Sequence, residues 1–405
     1  MKKKVLFTSV AVGLLIGDSS HASNISNNFN PAISLIIDGM FNPLVNNPEA
    51  YELPGFALGN EAGLAAKGFA IGHAELMMGA NIDDKFYGQF TLALAEHEGA
   101  TETELEEAFF ETIGLGNGFT IKGGRFFSAL GYQNQLHNHA WDFADPALIY
   151  RGLFGNRYLD DGMRASWIAP TELYIEIGAE AFSGNKFPAG SGHAHGNLGA
   201  TVSYAKLGGD IGVSHSWQAG LSYFSAHVDE RTSGGHGHGD ADAEETPSLT
   251  GDSNIIGASF IYKWAPNGNY KYRHFKFIAE YFQRTEEGDI DMIGSSPLET
   301  TSYDGEQSGF YIQSVYQFMP QWRAGLRYDL LDSDNTGSDD EIIEEAGLHN
   351  EGITPNRISA MMEWVPSEFS RIRLQYNHDN SSEETDNQIM LQYTFSLGSH
   401  GSHTF

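Results

Sequence analysis

Histidine is the residue type best placed to do chemistry in this sequence. There are 16 histidines and no cysteine. His193 and His195 stand in Gly-His-Ala-His-Gly, and His236 and His238 in Gly-His-Gly-His-Gly-Asp-Ala-Asp. His137 and His139 form a third pair inside a long aromatic stretch, and His400 and His403 lie near the end. Imidazole beside carboxylate suits zinc, copper or nickel. Without thiolates such pairs suit weak, exchangeable capture better than a structural site. The first-choice ligands are therefore His193, His195, His236, His238, Asp240 and Asp242, with His137 and His139 second. No cofactor is expected to be required, and any bound Zn2+ is expected to be held weakly. Ordinary polar loop sequence is the competing reading, because glycine flanks argue against a preformed cage.

Catalysis has less to stand on. No Gly-x-Ser-x-Gly segment and no thiol nucleophile is present. With histidine this frequent, a Ser/His pairing by chance means little, so the chain is not expected to be an enzyme. Its 23 Lys+Arg against 53 Asp+Glu give a formal charge of -30, which repels nucleic acid. A disordered acidic chain would lack the 26 Phe, 18 Tyr and 6 Trp found here.

The elements that hold these residues begin after a leader. Lys2, Lys3 and Lys4 precede an apolar run from Val5 to Gly17, and Ser20-His21-Ala22 has the small-x-small form of a cleavage site. The run is far shorter than the ~20 residues of a membrane-spanning helix. Residues 1–22 are thus expected to be a signal peptide and 23–405 one barrel domain.

Beyond the leader the dominant signal is alternation. Trp322, Ala324, Leu326, Tyr328 and Leu330 share one parity, and Arg323, Gly325, Arg327 and Asp329 the other. Ile372, Leu374 and Tyr376 alternate in the same way with Arg371, Arg373 and Gln375. Period 2 describes strands with a different solvent on each face. The pattern predicts strands near 32–41, 68–81, 84–97, 101–115, 118–127, 160–169, 172–183 and 196–207. It continues near 214–228, 252–265, 273–285, 305–318, 321–333, 354–365, 368–380 and 385–397. Tight turns such as Pro170-Thr171, Met319-Pro320 and Pro366-Ser367 alternate with longer loops. Strand length and turn alternation favour a membrane barrel over a soluble sandwich. The expected fold is all-β, a transmembrane antiparallel β-barrel of about 16 strands in a bacterial outer membrane. Tyr174, Trp217, Trp264, Trp322 and Trp364 would form its interfacial girdles, and the chain ends on the aromatic Phe405.

If the apolar parity faces lipid, Lys276, Arg323, Arg327, Arg357, Arg371 and Arg373 line the lumen of strands eleven to fifteen. Glu176 and Glu180 line it from strand seven. Basic and acidic walls facing each other would orient polar solutes and set ion preference. The longest loop, 128–159, carries Asp142, Asp145, Arg151 and Arg157 among aromatics.

From Gly123 to Asp161 the chain reads GGRFFSALGYQNQLHNHAWDFADPALIYRGLFGNRYLDD. This stretch resembles the phosphate-selective porin superfamily. With Leu53-Pro54-Gly55-Phe56 and Ala179-Glu180-Ala181-Phe182, it is most similar to proteobacterial proteins labelled zinc-regulated TonB-dependent outer membrane receptors. The resemblance implies a porin-like barrel whose loop 128–159 folds inward and constricts the pore, and an association with zinc. It does not extend to a plug domain, for which residues 23–31 leave no room. A passive channel for small hydrophilic solutes is expected, open to zinc or another divalent cation. The alternative is a non-transporting surface barrel that binds metal or a partner through its external loops. Expected partners are the lipid bilayer, the barrel-assembly machinery and, by analogy with porins, two further copies in a homotrimer; nucleic acid is not among them.

Overall fold

A computed structural model describes residues 31–45, 51–59, 62–97, 100–190, 198–232, 246–295 and 297–398. The expected signal peptide and the terminal Phe405 lie outside them. Among the described residues sixteen strands close into one antiparallel barrel, each paired with its neighbours in sequence and β1 with β16. In chain order they are β1 (Ala32–Leu44), β2 (Gly68–Asn81), β3 (Phe86–His97), β4 (Ala100–Thr112), β5 (Phe119–Phe127), β6 (Leu159–Ile168), β7 (Tyr174–Phe182) and β8 (Ala200–Ile211). The second half comprises β9 (His215–Thr232), β10 (Thr246–Trp264), β11 (His274–Ile293), β12 (Glu299–Met319), β13 (Trp322–Gly337), β14 (Asn356–Ser367), β15 (Ser370–Asn380) and β16 (Asp386–Gly398). No described helix is long and apolar enough to cross a membrane, so strands do the crossing.

Alternation works as the sequence implies. Leu326 and Leu374 on the outer face are 63% and 52% exposed, while their neighbours Arg327 and Arg373 are buried inside. Closure satisfies the backbone within the bilayer, so only the outward half of each strand must be apolar. Trp322 and Trp364 stack at 6.3 Å beside the tight turns, where a girdle belongs. A closed barrel with this apolar outer belt is an outer-membrane protein.

The main departure from the sequence reading is strand length. β10, β11 and β12 have 19, 20 and 21 residues, whereas about 9–11 cross a bilayer. The polar segments 246–251, 286–293 and 299–304, expected as loop, continue the ladder beyond the apolar belt. A short helix, α2 (Asp340–Glu345), packs Ile342 and Ile343 against this wall beside Val228, Ile290 and Tyr303.

The lumen is not simply open. Segment 51–59 and the loop 128–158 turn inward, and the loop forms a second helix, α1 (Leu148–Phe154), whose seven residues are all buried. Tyr51, Leu53, Phe56, Tyr150, Phe154 and Tyr158 form an apolar core with Phe182, Phe224, Phe282 and Tyr311 of the wall.

Candidate functional site

The inward loop is gripped from both directions. Its own acids take the basic wall. Asp145 accepts from Arg327 and Arg357 at 2.8 Å each, from Gln375 at 2.7 Å and from Asn377 at 2.9 Å. Asp142 pairs with Lys276 at 2.7 Å and lies 3.7 Å from Arg323. Arg373 donates to the Trp141 carbonyl at 2.7 Å, and Arg371 reaches the same oxygen.

Wall acids in turn take the loop's backbone. Glu280 on β11 accepts from the Tyr132 and Gln133 N–H groups and from the Tyr150 and Tyr311 hydroxyls. Glu180 on β7 accepts from Ala129 N–H at 2.9 Å and from Ser128 and Arg164. Asp329 on β13 accepts from Leu148 N–H at 2.9 Å, so the barrel supplies the cap that Ala147 cannot give α1. Burial pushes the Asp142 and Asp145 carboxyls up. For Asp142, Lys276 and Arg323 outweigh that; for Asp145, Arg357 and Arg327 do. Both stay below the ordinary carboxylate value, Asp145 far below.

Each residue assigned to the lumen from sequence lies on the inner face, but its surroundings differ from those expected. Arg357 and Arg373 are 0% exposed and Arg327 is 2% exposed. Lys276, Arg323 and Arg371 are partly covered, and Glu176 pairs with Lys206 at 3.3 Å. These groups hold the loop or one another instead of facing water, because the loop enters deeply enough to desolvate them. Glu363 on β14 also sits within the basic wall, bonded to Arg323 and Arg373. Of the loop cations, Arg151 stacks on Tyr51 at 5.0 Å, and Arg157 pairs with Glu106 and stacks on Phe127 at 4.6 Å. Between the loop and β11–β13 a space of about 10 Å³ remains, lined by Tyr132, Asp142, Tyr311 and Arg327. That is room for about one water.

The first-choice ligands His193, His195, His236, His238, Asp240 and Asp242 lie outside the described residues. The second choice, His137 and His139, meets Glu75 from β2 and Glu106 and Glu107 from β4, and His73 of β2 pairs with the same Glu75 and Glu106. Backbone irregularity makes this meeting possible. The β3–β4 register shifts between Thr91↔Glu107 and Leu92↔Leu105, leaving Glu106 as an extra residue. Two consecutive glutamates thereby turn inward, which a regular strand forbids. A second shift on β2, between its pairs at Ile71 and His73, leaves Gly72 extra. Burial alone would lower the His137 imidazole, but the Glu75 charge outweighs it and holds it well above the usual histidine value.

An Aquifex aeolicus protein, described as uncharacterized, is 31% identical over 404 residues, covering 93% of this chain and 80% of the relative. The chain belongs to that protein's family. No family model matches it. Among solved structures it is similar to the outer membrane channel DcaP of Acinetobacter baumannii, with a TM-score of 0.52, 13% identity, and 91% of this chain and 96% of that one covered. Salmonella typhi OmpF in complex with daunomycin gives 0.51 at 12% identity, covering 92% and 99%. The loop-deleted outer membrane protein OmpT of Vibrio cholerae gives 0.51 at 10% identity, covering 92% and 100%. At such identities the likeness is one of fold, a porin-like barrel. The phosphate-selective and zinc-regulated labels implied by residues 123–161 gain nothing from these comparisons.

Proposed function

We propose that the protein is an outer-membrane channel for passive diffusion of small hydrophilic solutes, with loop 128–158 as its closing element. The observation that carries this reading is the polar inner face of β12–β16. Gln313, Gln317, Ser359, Gln375, Asn377, Gln388 and Gln392 all point inward. A wall that only had to hold a dry plug would be at least as stable if apolar, whereas a wall that is at times wet needs these groups. Sixteen-stranded barrels are also wide enough for an aqueous path. The formal charge of -30 would concentrate divalent cations at the mouth, which makes them, zinc included, natural solutes. The reading carries the bilayer and the barrel-assembly machinery as partners and a homotrimer as the assembly.

A second reading, a surface barrel that does not transport, draws support from the apolar core inside the lumen and the tall β9–β13 wall. Planar-bilayer recordings separate the two. Rare openings in the wild type, and frequent ones when residues 133–156 are replaced by a short glycine-serine linker, are expected. A linker variant that inserts and never conducts would leave the surface-barrel reading standing.

A further inference from the structure

The cluster that joins the loop to β2 and β4 contains more than ion pairs. Glu75 is 1% exposed, and three imidazole nitrogens surround its two oxygens. His73 Nε2 lies 3.1 Å from Oε1, and His137 Nδ1 and His139 Nδ1 each lie 3.1 Å from Oε2. Glu106 lies 3.2 Å from His73 and 3.6 Å from His137. One ligand atom from each of Glu75, His137 and His139 falls within 4.8 Å of the others, as it does for His73, Glu75 and Glu106.

We propose that Glu75, His137 and His139 bind one divalent transition-metal ion of the zinc class, which staples the inward loop to the barrel wall, with His73 and Glu106 flanking it.

Spacing supports the assignment. A tetrahedral zinc ion with bonds of about 2.0–2.1 Å keeps its ligand atoms about 3.3 Å apart. Alignment supports it independently. Both Glu75 oxygens, His73 Nε2 and His137 Nδ1 are buried and make no well-directed hydrogen bond despite their contact distances. Atoms that converge on a shared point, not on one another, produce this combination. The third support is the far side of His137, where Nε2 meets Glu107 at 3.0 Å and Glu107 is held in turn by Gln89 at 2.8 Å. A carboxylate behind a ligating imidazole fixes the tautomer that frees the other nitrogen for metal. Two or three nitrogen donors select zinc, cobalt or nickel over calcium and magnesium, which prefer all-oxygen shells.

The test uses the full refolded barrel in detergent, stripped with EDTA and titrated calorimetrically with Zn2+ alone. One ion per chain is expected, with binding weakened at least a hundredfold in the His137→Ala/His139→Ala variant. A variant with His193, His195, His236 and His238 all changed to alanine should bind as the wild type does, and Mg2+ should not compete. X-ray absorption of the zinc-loaded wild type should show nitrogen and oxygen neighbours near 2.0–2.1 Å with imidazole scattering. This second measurement stands even if a variant fails to fold. Wild-type protein that binds no zinc, or binding that survives in His137→Ala/His139→Ala, overturns the proposal. Because no step depends on conductance, zinc binding by the wild type together with a linker variant that never conducts would refute the channel and leave the metal site intact.

Discussion

Asp145 Oδ2 accepts from Arg357 Nη1 at 2.8 Å across 212 residues of sequence, joining the inward loop to β14 with both side chains buried. Removing one member of such a pair leaves the other charged and dry, at a cost of about 3–5 kcal/mol. Asp145→Asn leaves Arg327 and Arg357 to share Asp329 on the wall, so part of that cost is incurred, and it falls on loop docking and not on the strand ladder. Openings in planar bilayers should become at least tenfold more frequent, while the barrel's heat-modifiable migration in gels persists. Wild-type gating in Asp145→Asn would mean that the loop does not close the path.

The same carboxyl sets a pH window. Burial raises it, but Arg357 and Arg327 bring it far below the ordinary value, so its folded-state pKa is the depressed one. A depressed carboxyl contributes stability that is present above its unfolded value and lost as pH falls through its folded value. The contribution of Asp145 to loop closure should therefore stay constant from pH 7 down to about 4, where exposed carboxylates already titrate. Conductance that rises between pH 6 and 4 in the wild type would place the controlling group elsewhere.

Arg327 and Leu326 are adjacent residues with opposite environments. Leu326→Arg puts a charge on the lipid face and costs up to ~2–4 kcal/mol, depending on depth, so refolding yield should drop. Alternation alone suggests that Arg327→Glu would merely tune ion preference. Its contacts predict otherwise, because a glutamate there faces Asp145 and Asp329 with Arg357 left to offset all three carboxylates. The variant should fold and gate loosely. A shift in selectivity with normal gating would restore the simpler picture.

These contrasts mark how far the sequence could be read. Strand number, turn alternation and the inward parity of Arg323, Arg327, Arg371 and Arg373 follow from period 2, which a barrel enforces along its whole wall. The partners of those arginines do not follow, because the approach of loop 128–158 to β13–β15 is a tertiary event with no local period. Glu280 and Asp329 have the inward parity, yet nothing marks them as acceptors for loop N–H groups. Glu106 and Glu107 are harder still. Neighbours in sequence should face opposite sides, and only the bulge on β4 turns both inward. The long β10–β12 ladder escaped for a related reason: above the bilayer the outward face turns polar and apolar residues such as Ile290, Met292 and Tyr303 face inward against α2, so the lipid-facing pattern ends while pairing continues.

The apolar part of the plug can be tested separately from its ion pairs. Phe154 of α1 meets Phe282 of β11 edge-to-face at 5.1 Å, and neither ring is more than 1% exposed. Truncating a buried phenylalanine costs about 3–5 kcal/mol through lost contacts and an unfilled cavity. In Phe154→Ala that loss should fall on the docked loop, because the β-ladder around Phe282 keeps its hydrogen bonds with β10 and β12. Hydrogen exchange should then speed up at the amides of 148–154 by two or more orders of magnitude. Amides of β11 and β13 should be almost unchanged, the signature of a segment that opens below the global stability. Adding Phe282→Ala should cost less than the sum of the two single changes, with about 0.5–1.5 kcal/mol of coupling from the ring pair. Loop and strand amides that accelerate together in Phe154→Ala would instead show that the barrel and its plug unfold as one unit, leaving no independent movement for a gate.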